Sequence, residues 1–125
     1  MKRFQTMKRF RDLQFNEIPY KSGAYNATLN LGNYIISVGY GKGLYGSGPS
    51  YDTYEVLVVD AETDIPIPLS VDNDVLGWQH KHEIDNLMVS LQREPGFGEA
   101  CRIFKRTQHN KCFNNISHMR DEAFQ

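Results

Sequence analysis

Tyr25-Asn26-Ala27-Thr28-Leu29-Asn30-Leu31-Gly32-Asn33-Tyr34-Ile35-Ile36-Ser37-Val38-Gly39-Tyr40 is the stretch that decides the fold of this chain. Apolar residues recur at every second position on both sides of Gly32-Asn33. Ala27, Leu29 and Leu31 share one face before it, and Tyr34, Ile36, Val38 and Tyr40 share one face after it. That alternation is the signature of strands buried on one side. A Gly-Asn pair supplies the positive φ that a two-residue hairpin turn requires. The stretch therefore predicts a β-hairpin.

Working outward from the hairpin, residues 51–60 hold Tyr54-Glu55-Val56-Leu57-Val58-Val59. This run is apolar on both faces for part of its length, which predicts a strand with neighbours on both sides. Ala61-Glu62-Thr63-Asp64 reads as a turn, and residues 65–69 as a short fourth strand. Pro66 and Pro68 lack amide donors and confine that strand to an edge. Upstream, residues 13–20 alternate loosely until Pro19, which predicts an edge strand or an extended arm. Downstream, residues 72–77 read as a polar turn leading into a helix, with Asp74 capping a short turn at residues 75–78. Ile84, Leu87, Met88 and Leu91 then fall at helical spacing on one face. Glu83 stands three residues after His80, in the position of a capping box, and Pro95-Gly96 ends the helix. Cys101-Arg102-Ile103-Phe104 opens a last strand or short helix, and a final short helix is expected near residues 117–124.

The chain is thus expected to be α+β: an antiparallel sheet of about four or five strands, an amphipathic helix packed on one face, and a short helical or irregular tail. Its 125 residues fit one domain. The expected organisation is an extension at 1–6, whose Met1-Lys2-Arg3-Phe4 is echoed by Met7-Lys8-Arg9-Phe10, a domain at 7–94, and a partly ordered tail at 95–125. No apolar run approaches the roughly 18 residues that span a bilayer. Two cysteines are too few for a disulfide framework. The expectation is a cytoplasmic protein without membrane association. Charge is uneven: Lys and Arg outnumber acids six to two over residues 1–21, are outnumbered three to ten over 22–94, and lead five to three over 95–125. Basic ends around an acidic middle suit an intramolecular neutralisation or an arm that touches nucleic acid.

Gly41-Lys42-Gly43-Leu44-Tyr45-Gly46 matches G-x-G-x-x-G, but Pro49 and a strand follow where a dinucleotide site needs a helix. The loop reads instead as a hairpin connection, or as a recognition loop in which Lys42 and glycine amides face an anion. All seven tyrosines lie between Tyr20 and Tyr54. Tyr45 and Tyr51 beside glycines suit recognition. Cys101, His109, Cys112 and His118 raise a zinc site, although their spacing follows no finger pattern. His80 and His82, one residue apart, would not face together on a helix. Asp72-Asn73-Asp74-Val75-Leu76-Gly77 resembles the start of a calcium loop, but Leu76 stands where an oxygen ligand is needed. No nucleophile elbow, P-loop or zinc-protease motif is present. The reading leans away from an enzyme and implies no cofactor and no metal.

Met7-Lys8-Arg9-Phe10-Arg11-Asp12-Leu13-Gln14-Phe15 resembles the opening of many small proteins of tailed phages that carry no assigned function. Gly32-Asn33-Tyr34-Ile35-Ile36-Ser37-Val38 is similar to their "NGYGVSV", and Tyr54-Glu55-Val56-Leu57-Val58 to their "YELAV". Asp74-Val75-Leu76-Gly77-Trp78, with Glu83-Ile84, is similar to "DVIGYLT..EEV". The resemblance covers about residues 7–92. It departs at His80, where a Ser or Thr cap is usual, in the extra residues 1–6, and in the longer tail. It carries over no catalytic residue. What it implies is a phage-type accessory protein in the host cytoplasm that binds a host protein without catalysis, as inhibitor or adaptor. The alternatives are a sponge for a nucleotide-like small molecule and a nucleic-acid binder acting through the basic termini. The candidate surface is Tyr40, Lys42, Tyr45, Tyr51, Trp78 and His80.

Overall fold

The hairpin at the centre of the chain forms as its alternation dictates. A computed structural model describes residues 6–70 and 73–110, with backbone alone for 106–110. Strands β1 (Asn16–Glu17), β2 (Ala24–Asn30), β3 (Tyr34–Gly41), β4 (Tyr54–Asp60) and β5 (Leu76–Gln79) make one antiparallel sheet in the order β1-β2-β3-β4-β5. Helices α1 (Lys81–Arg93) and α2 (Phe97–Asn110) follow. The register pairs Leu29 with Ile36 and Ala27 with Val38, and then Ile36 with Val58 and Val38 with Val56. These residues fall on one face, and Ile36, Val38, Val56 and Val58 have no solvent exposure. Gly32, at φ 102°, makes the turn, and the Asn30 side chain accepts its amide at 2.7 Å.

Helix α1 lays Ile84, Met88 and Leu91 on that face. Burying each such side chain stabilises the fold by roughly 1.5–3 kcal/mol. The N-terminal arm is fastened along the same helix. Gln92 exchanges two hydrogen bonds with the Lys8 backbone, the Phe10 amide donates to Asp85, and Arg9 Nε stands 3.4 Å from Asp85 Oδ2. Part of the basic N-terminus therefore does meet the acidic middle. The elbow between the helices is tied to the sheet by Tyr34, whose buried hydroxyl donates to the Pro95 carbonyl and accepts from the Gly98 amide at 2.8 Å. A Cβ at Gly98 would stand 2.8 Å from Ile67 Cδ1 and 3.1 Å from Tyr34 Cε1, so glycine lets α2 sit here without those side chains shifting.

Two expectations need correction. Residues 65–69 do not form a strand. They make one bridge, Val59 with Pro66, and two backbone bonds to β4, the Asp60 amide to the Ile65 carbonyl at 2.9 Å and the Ile67 amide to the Val58 carbonyl at 2.8 Å, because the prolines on either side of Ile67 cannot donate. Residues 76–78, read as part of a turn, instead form β5 with Gln79 on the β4 edge, with an irregular register between Tyr54 and Val56. The expected helix near residues 117–124 lies outside the described residues. Among those described, no helix is long and apolar enough to cross a membrane.

Candidate binding surface at the β3–β4 loop

The loop between β3 and β4, residues 42–53, is held by hydrogen bonds within it and to its neighbours. Gly41, at φ 107°, ends β3 where any Cβ would stand 2.2 Å from the Gly23 carbonyl oxygen. The Gly41 amide donates to Gly46 O, Leu44 to Gly41 O, Gly48 to Thr53 O and Lys42 to Gly23 O, at 2.8–3.0 Å. The Tyr45 amide donates to Glu55 Oε1 at 2.7 Å, and the Ser47 amide to Thr53 Oγ1 at 2.9 Å. Six amides of the glycine-rich segment are thus spent internally, and the chain returns as a strand rather than a helix. An anion cradle needs such amides free and convergent.

The loop folds back on the sheet face opposite α1. On that face β3 and β4 present Ile35, Leu57 and Val59, all half-buried. Leu44 covers Gly39, where a Cβ would be 3.0 Å from Leu44 Cδ1, and Tyr45 covers Gly77, where a Cβ would be 2.7 Å from Tyr45 Cβ. The Tyr45 carbonyl accepts from the Trp78 amide at 2.8 Å, which ties the loop to β5. Trp78 sits at φ 57°, a conformation that costs a bulky residue about 1–3 kcal/mol. Tyr45, Tyr51 and Trp78 are 57%, 75% and 55% exposed. Three large aromatics of the candidate set therefore stand in water at one end of the sheet.

Asp52 joins this loop to the start of α1. It too holds a positive φ, 52°. Its Oδ1 accepts from the Lys81 amide at 3.1 Å, and its carbonyl meets His80 Nδ1 at 2.8 Å. A carbonyl only accepts, so that contact places a proton on Nδ1. Glu83 takes the His80 amide at 2.8 Å, in the expected capping box. The Asp52 carboxylate serves the helix start as well, at the Lys81 amide. The expectation that His80 and His82 would not face together is also corrected. Their rings stack at 5.8 Å and 12°, because His80 is in extended backbone before the helix begins.

Tyr40 belongs elsewhere. It packs against Phe15, Tyr25 and Tyr54 with ring centroids 5.1–5.7 Å apart, in an aromatic cluster under the loop. Burial, and then the Asp52 charge and Tyr40, push the Tyr54 phenol above its ordinary range. Lys42 is exposed on the far side of the loop, against the turn before β2. Cys101 is half-buried on α2, and burial pushes its thiol up. Cys112, His118, Asp72 and the side chain of His109 lie outside the described residues. Among those described, no three His, Cys, Asp or Glu side chains gather as a metal site. Asp52 carries no signal in the sequence. Nothing local marks Asp52 as a cap, since the amide it meets is 29 residues away.

Comparison of the chain with protein-family models, curated proteins and solved structures finds no match.

Proposed function

We propose that this protein acts by non-catalytic binding of a protein partner through Tyr45, Tyr51 and Trp78, with His80 at the rim. The observation that carries the reading is the exposure of those three aromatic side chains on backbone fixed by hydrogen bonds. Tyr and Trp give large contact area at low entropy cost and dominate interface energies. Fixing them before contact reduces the ordering cost further. In this reading the protein is a phage-type accessory inhibitor or adaptor, and the partner is a host protein met in the cytoplasm.

The nucleotide-sponge alternative has less support, because the loop amides that would hold a phosphate already have acceptors. The nucleic-acid alternative rests on the basic termini, of which Lys8 and Arg9 are engaged with Asn30 and Asp85. Trp78→Ala and Tyr45→Ser test the reading. Each should lower the affinity of the captured host partner by more than about tenfold, the loss typical of an interface anchor. Urea midpoints near wild type would show that the fold is intact. Unchanged affinity in both folded variants would overturn it.

A further inference from the structure

We infer that the cavity between β5, α1 and α2 is a second binding site, which takes a single aromatic ring carrying one hydrogen-bond donor. Val56, Leu69, Leu76, Ile84, Leu87 and Phe97 wall a space of about 140 Å³. Val56 and Ile84 form a floor that is wholly buried, and the other four are half-buried, so the space opens outward. An apolar cavity of roughly 150 Å³ is large enough to accept a benzene-sized ring.

The margin of the cavity is polar, and Glu83 makes it rich in acceptors. Gln79 Nε2 donates one of its two N–H groups to the Gly77 carbonyl at 3.0 Å, which leaves its Oε1 as an acceptor and its second N–H as a donor. Glu83 Oε1 holds the His80 amide, which leaves Oε2. Both groups present acceptors at the mouth, and the third polar neighbour, Cys101, is a weak donor kept as a thiol by its burial. A ring bearing an O–H or N–H completes this arrangement, whereas a bare hydrocarbon leaves both acceptors to water. The site is independent of the partner surface. Leu76 and Gln79 pair with core-facing residues of β4, while Tyr45 crosses Gly77 on the other side of β5.

The test is a methyl-detected NMR titration of the full chain with phenol and, separately, toluene, which has the same ring and no donor. The methyls of Leu69, Leu76, Ile84 and Leu87 should shift with both. Phenol should bind about two- to twelvefold tighter, the worth of one net hydrogen bond. Alkylation of Cys101 by N-ethylmaleimide, read on its own peptide, should slow when phenol is bound. Leu87→Phe, which fills the space, should abolish both shifts. If that variant does not fold, the thiol protection in the unaltered protein decides. Unmoved methyls, equal affinity for the two rings, or unprotected Cys101 would each overturn the inference.

Discussion

The two connections that flank β3 do the same topological job by different means. The β2–β3 turn is Leu31-Gly32-Asn33, closed by the Leu31 amide on the Tyr34 carbonyl at 2.8 Å and by Asn30 on the Gly32 amide. A side chain at Gly32 would meet nothing within 4 Å. The β3–β4 loop runs over residues 42–53 and is held by contacts to β2, β4, β5 and α1. A short turn is fixed by its own dihedral angles. The long loop depends on what the rest of the chain places around it, and its order lets it present aromatic side chains without collapsing onto the sheet.

The largest expected effect separates these two cases. Gly32→Ala adds only the strain of a left-handed backbone, about 1–2 kcal/mol. Gly41→Ala, at nearly the same φ, also drives a carbon into the Gly23 carbonyl oxygen at 2.2 Å and against Ala24 Cα at 3.1 Å. Neither neighbour is a flexible side-chain end, so the loss should be on the order of 3 kcal/mol or more. Urea unfolding of the two variants side by side is the check. Equal losses would mean that the loop yields as freely as the turn.

A smaller effect is expected at Asp52. Asp52→Ala removes the carboxylate from the Lys81 amide at the start of α1 and puts alanine at φ 52°. Loss of a helix cap costs about 1 kcal/mol. Asp52→Asn keeps an acceptor and tolerates the positive φ, so it should be close to neutral. Hydrogen exchange at the first turn of α1 should rise in the alanine variant alone.

What the sequence made legible follows the same division. The β2–β3 hairpin, β4 and α1 could be read because each is written as a local period of two or 3.6. β5 could not. Leu76-Gly77-Trp78-Gln79 is four residues with a glycine and a tryptophan at φ 57°, and its strand character comes from the free edge of β4. Residues 65–69 failed in the opposite sense, since apolar alternation promised a strand that two prolines could not bond. In the candidate surface, Tyr45 and Tyr51 were legible as aromatics beside glycines. The Asp52 cap and the His80–His82 stack were not, because both depend on where α1 begins relative to a loop far away in the chain.

The smallest effect compares the buried tyrosines at the two ends of the sheet. Tyr34, beside the short turn, and Tyr54, under the long loop, are each 3% exposed. Tyr34 spends its hydroxyl on Pro95 and Gly98. Tyr54 has its phenol pushed up by burial, then by the Asp52 charge and by Tyr40. A raised folded pKa means that the native state holds this proton more tightly than the unfolded chain. The stabilisation is then complete below about pH 10, the ordinary tyrosine value, and is lost as pH rises through the folded value. The urea midpoint should therefore fall between pH 9 and pH 11 by more in the unaltered protein than in Tyr54→Phe. Asp52→Asn should lie between them, since it removes the second of the three causes and leaves the first. If Tyr54→Phe falls as steeply as the unaltered protein, the alkaline loss arises elsewhere, and the loop does not hold the Tyr54 proton.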